Sequence, residues 1–104
     1  MEPAYKEFEH FLKIIHSHKP GNIHHLIKSA NNRVIKTIIE IAYNLLKGNI
    51  HIISKDIDRL KKDKKSIKRL ISKRLPINKK RSILIENPKM LKNILSVVFY
   101  KCGE

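Results

Sequence analysis

Between Ser54 and Arg81 the chain carries thirteen lysines and arginines against three carboxylates, its densest concentration of reactive side chains. Wound as a helix at about 100° per residue, Ile57, Leu60, Ile67 and Ile71 form a narrow apolar stripe. Lys61, Lys62, Lys65, Lys68, Arg69 and Lys73 then fill the opposite, broader arc, and Lys79, Lys80 and Arg81 follow after a break. The chemistry open to such a surface is ionic contact with a polyanion. Mixed signs would let neighbouring turns pair with one another, but here one sign dominates, and like charges three and four residues apart destabilise a free helix. An anionic partner removes that cost. Nucleic acid leads the candidates, ahead of a merely solvated face, an anionic membrane surface or an acidic protein. Lysine supplies point charge rather than the fixed fork that reads base edges, so phosphate contacts are expected in preference to base contacts. No aromatic side chain lies within the basic stretch to stack on unpaired bases.

Other chemistry finds little support. His16, His18, His24 and His25 cluster around a Pro-Gly turn, but no cysteine or carboxylate nearby completes a tetrahedral metal set. They are read as polar residues beside a turn; His10 and His51 are isolated, and protonation of all six in acid would add to the positive charge. Cys102 has no partner for an internal disulfide and no nucleophile motif around it. With glycine only at 21, 48 and 103 there is no phosphate-cradling loop. The pairs Glu7/Glu9 and Asp56/Asp58 read as surface carboxylates rather than an acid–base couple. The expectation is a non-enzymatic protein with no catalytic residues, no metal and no cofactor.

The elements that would position the basic residues follow from apolar spacing. Tyr5, Phe8, Phe11, Leu12 and Ile15 predict a helix over 4–18, closed by Lys19-Pro20-Gly21-Asn22. Residues 23–30 add a short helical turn. Asn31 or Asn32 caps the strongest core helix, through Val34, Ile35, Ile38, Ile39, Ile41, Ala42, Leu45 and Leu46, with Gly48-Asn49 as its left-handed stop. Residues 49–53 read as an extended connector, and Ser54 as the cap of one long basic helix over 54–74. Leu75-Pro76 interrupts, Asn78 starts a short helix over 79–86, and Asn87-Pro88 opens a last helix, 89–101, carrying Met90, Leu91, Ile94, Leu95, Val97, Val98 and Phe99. That apolar helix either closes the core against the 34–46 helix or offers a face for self-association, capsid attachment or membrane contact. The fold expected is all-α, a small bundle of about four to five helices with a long basic helix. It forms a single domain over 1–104, with 1–30 as an N-terminal arm and 31–101 as the core.

The 104 residues bear a formal charge of +14, distributed as +3 over 1–53 and +11 over 54–104. Eighteen isoleucines, eighteen lysines and eight asparagines are also what AT-rich coding DNA produces, so clustering argues for function where composition does not. No apolar run approaches the ~20 residues needed to span a bilayer, and no signal peptide opens the chain. The expected setting is inside the cell.

The run Ile41-Ala42-Tyr43-Asn44-Leu45-Leu46-Lys47-Gly48-Asn49-Ile50, the Lys-rich stretch 55–74, and Leu75-Pro76-Ile77-Asn78-Lys79-Lys80-Arg81-Ser82-Ile83-Leu84 before an apolar tail form a recognisable order. It resembles small basic proteins encoded near the capsid genes of Polinton/Maverick-type elements and adintovirus-like DNA viruses. The likeness spans about 29–99, with Asn44–Ile50 and Lys79–Leu84 its most specific pieces. It departs at Glu86-Asn87-Pro88, where those proteins usually carry a Gly-Gly pair, so nothing about the tail is carried over and the chain reads as diverged or host-domesticated. The resemblance implies a viral or transposon-derived protein associated with a genome or virion core, in the host nucleus, cytoplasm or virion. DNA stands ahead of RNA as partner. The alternatives are a scaffold that self-associates or binds a capsid or other acidic protein, and a regulator of a host protein.

Overall fold

The structure, a computed structural model, describes residues 4–48, 58 and 60–102. Within them the protein is all-helical, with six α-helices, more than the four to five expected, and two short 3-10 helices. The first segment begins as 3-10 over Ala4–Phe8 and turns α-helical in α1, Glu9–Ser17, which buries Leu12 and Ile15. His18 leaves the helix in an extended conformation, its Nδ1–H donating to the Ile14 carbonyl at 2.6 Å. A 3-10 turn, Pro20–Asn22, leads into α2, His24–Ser29.

The central helix, α3, spans Asn32–Leu46. Its cap is Asn31, whose Oδ1 accepts from the Val34 amide at 3.0 Å and satisfies one of the orphan donors of the first turn. Its end is set by Gly48 at φ 76°, where a residue without Cβ turns left-handed at no steric cost. Between these points Val34, Ile35, Ile38, Ile41, Ala42 and Leu45 are buried, and α3 packs against the N-terminal 3-10 helix and three later helices.

The basic region departs from expectation. Residues 58 and 60–62 are helical, but the chain turns at Asp63 (φ −100°, ψ 7°) and starts afresh as α4, Lys64–Leu70. At the break, the Asp63 amide bonds back three residues to Leu60 at 3.0 Å, while its carbonyl accepts from Ile67. Aspartate is a poor interior helix residue, and flanking lysines at 61, 62, 64 and 65 repel across the turns, so one continuous helix is disfavoured here. α4 also stops at Leu70, short of the expected Arg74; Ser72 Oγ accepts from the Arg74 amide at 3.3 Å in the turn that follows. The proposed Ser54 cap and the 49–53 connector lie outside the described residues.

After Leu75-Pro76, α5 runs Ile77–Glu86 and α6 runs Pro88–Cys102. Asn87 serves both helices: its carbonyl accepts from the Leu91 amide at 3.1 Å and opens α6, as expected, while its side-chain amide donates to the Ile83 carbonyl of the preceding helix at 2.8 Å. The final helix packs most extensively on α1, and Met90, Leu91, Ile94, Leu95, Val97, Val98 and Phe99 are all buried. It therefore closes the core. Nine of the fourteen described isoleucines are buried, so much of that composition serves packing.

Candidate nucleic-acid interface

α4 presents its cations because its apolar side is anchored. Ile67 and Leu70 are buried against α3 and α5, together with Leu60 from the preceding turn. Lys61, Lys62, Lys65, Lys68, Arg69 and Lys73 are exposed on the side left over. Lys79 is exposed at the start of α5 and Lys80 is half-buried. The apolar stripe is shifted from the expected one, with Leu70 fully buried and Ile71 only partly so.

Arg81 is placed differently from the other expected contacts. Its Nη1 donates to the carbonyls of Ile27 at 2.7 Å and Ala30 at 2.5 Å, and Nη2 donates to Asn32 Oδ1 at 2.7 Å. The guanidinium thus closes the carbonyl end of α2 and ties α5 to the α2–α3 junction, where cations are favoured by the helix dipole. Three of its five donors are committed inside the fold.

Two exposed cations were not singled out by the helical wheel. Lys64 falls on the apolar stripe of an unbroken 54–74 helix, but the turn at Asp63 resets the phase and leaves it in solvent. Arg74 is exposed in the turn after α4. No signal in the pattern marks the break, since Asp63 reads equally well as a dipole-favoured acid.

Among the described residues, ion pairs form only in the N-terminal half. They are Lys6–Glu9 at 3.7 Å, Lys13–Glu9 at 3.2 Å and Arg33–Glu7, with the Arg33 guanidinium also over the Phe8 ring. The Lys13 hydrogen bond, aided by the Lys6 and Lys13 charges, holds the Glu9 carboxyl below its usual range against the opposing effect of desolvation. No cation of 60–92 has a carboxylate within ion-pair distance among the described residues.

Two of the described histidines, His16 and His18, take part in hydrogen bonds of the fold. His16 Nε2 meets Ser96 Oγ at 2.8 Å, and because the Ser96 hydroxyl donates to the Lys92 carbonyl, the histidine is the donor. Burial, with a smaller contribution from the Lys92 charge, pushes the His16 pKa below its ordinary 6.5 and favours this neutral form. Among the described residues no three His, Cys, Asp or Glu side chains come close enough to hold a metal ion, and no helix is long and apolar enough to cross a membrane.

Comparison of the chain with protein-family models, with curated proteins and with solved structures finds no match to any of them.

Proposed function

We propose that the protein binds nucleic acid through its phosphate backbone, without reading base sequence. The contacts are Lys61, Lys62, Lys64, Lys65, Lys68, Arg69, Lys73, Arg74, Lys79 and Lys80. One observation carries this reading: apart from half-buried Lys80 these cations are solvent-exposed, and no carboxylate among the described residues neutralises them. A face of one sign held on a packed core repels itself and gains most from a partner of dense negative charge. Lysine dominates the set, and no aromatic lies between 54 and 98, which favours backbone over base contacts. The biological setting that fits is condensation or anchoring of a viral or transposon genome, the role implied by the Polinton/Maverick-type resemblance. The self-associating form of the scaffold reading needs an apolar surface, and Tyr43 is the one large hydrophobic side chain exposed among the described residues. An acidic protein partner would use the same basic face, and duplex binding separates it.

The test is binding to an unrelated duplex across a salt series, for the wild type and a variant with Lys61, Lys62, Lys65, Lys68 and Arg69 changed to Gln. Each phosphate contact contributes about −0.9 to the slope of log affinity against log salt, so the loss of five should make the variant's slope shallower by roughly 4.5. No duplex binding at about 100 mM salt, or an unchanged slope, overturns the reading.

A further inference from the structure

Outside the α4 face, one open cleft of about 460 Å³ lies between the first half of α6, the Pro20 turn and residues 62–63. Three lysines line it, Lys62, Lys89 and Lys92, against one acidic residue, Asp63. We infer that this cleft seats a phosphate group of the bound nucleic acid, so that the interface turns from α4 onto α6. The inference rests on the nucleic-acid reading and adds Lys89 and Lys92 to its contacts.

The polar groups of the cleft are arranged to leave cations on offer. Asp63 Oδ2 already accepts from Asn93 Nδ2 at 3.4 Å. Ser96 is satisfied on both sides, accepting from His16 and donating to the Lys92 carbonyl, so it forms a closed floor rather than a specific donor. Lys92 is half-buried and its Nζ donates to the His18 carbonyl at 2.7 Å. That bond fixes the ammonium at the wall and uses one of its three N–H donors, leaving two for an anion. Lys89 lies one turn before Lys92 on α6 and is exposed.

The size of the cleft fits within the roughly 300–1,000 Å³ of small-ligand sites, and three lysines against one aspartate favour an anionic occupant. Lys62 joins it to the α4 surface, being adjacent to Lys61 and three residues from Lys65. A backbone lying along α4 would therefore meet the cleft at its next phosphates. The pattern of α6 hides this function, because Lys89 and Lys92 stand in a helix whose other residues mark it as core.

Lys89→Gln is the diagnostic variant, since Lys89 is exposed while Lys92 also holds the His18 carbonyl. Lys28→Gln, an equal charge change on the exposed side of α2, is the control. Binding of a labelled duplex is measured from about 50 to 200 mM salt for wild type, both variants and Lys65→Gln. The cleft predicts that Lys89→Gln and Lys65→Gln each reduce the slope by about 0.9, equivalent to roughly threefold less loss of affinity over that range, while Lys28→Gln leaves it unchanged. If Lys65→Gln lowers the slope and Lys89→Gln behaves as Lys28→Gln does, the cleft assignment fails and the α4 interface stands. If the wild type does not bind, both fail.

Discussion

Arg81 shows how two arginines twelve residues apart in one basic region acquire opposite roles. Arg69 projects from α4 into solvent, whereas Arg81 bridges three oxygens of the α2–α3 junction. Arg81→Lys keeps the charge but cannot span three acceptors, so we expect a loss of about 1–2 kcal/mol in denaturant unfolding with duplex affinity unchanged. Stability equal to wild type would show that the bridge does not matter. His16 gives a second residue-scale prediction. Its folded pKa lies below the unfolded value of 6.5, so the unfolded chain takes up the proton first on acidification. Its contribution to stability is full above that value and declines as pH falls from there toward the folded pKa. His16→Gln retains a donor for Ser96 without a titrating ring. Its melting temperature should fall less than that of wild type between pH 7.5 and 5.5, and parallel losses would contradict the linkage. The exposed lysines of the site were legible from amphipathic spacing. The inward turn of Arg81 was not, because two of its three acceptors are backbone carbonyls about fifty residues away, carried by no distinctive sequence.

Most helix ends among the described residues fall where local chemistry directs, with a main exception in the basic region. Asn31 and Gly48 act where the sequence predicts, whereas α5 begins at Ile77 directly after Pro76, ahead of the expected start at Asn78. Asn31→Ala removes the acceptor for the Val34 amide and should cost about 1 kcal/mol, measured by urea unfolding; a change within error would mean that another group caps α3. The main exception is the turn at Asp63. Apolar periodicity through Ile57, Leu60, Ile67 and Ile71 suits one long helix, and no glycine or proline announces a break. What opposes continuity is collective, the repulsion among lysines on neighbouring turns together with the Asp63–Asn93 contact across to α6. A periodicity argument counts apolar positions and gives such repulsion no weight. The break leaves Lys64 in solvent and Lys62 at the edge of the cleft beside α6.

Across the whole molecule, charge and packing are separated. A hydrophobic core assembled from both halves of the chain holds α4 against α3 and α5, while the ion pairs of the described residues lie at its N-terminal end. The remaining surface faces solvent with most of the +14 charge. An all-α fold was readable from the sequence because nearly every core side chain recurs at helical spacing. The packing of α6 chiefly on α1 was not, as apolar faces of similar width do not specify which partner they meet. If the basic surface is a phosphate-binding face, affinity should depend on salt and hardly on sequence. The decisive measurement is the equilibrium affinity of the wild type for two duplexes of unrelated sequence, followed by anisotropy from about 50 to 200 mM salt. Six or more contacts predict slopes near −5 or steeper for both, with affinities agreeing within about threefold. A slope no steeper than about −1, or a strong preference for one duplex, would contradict the account.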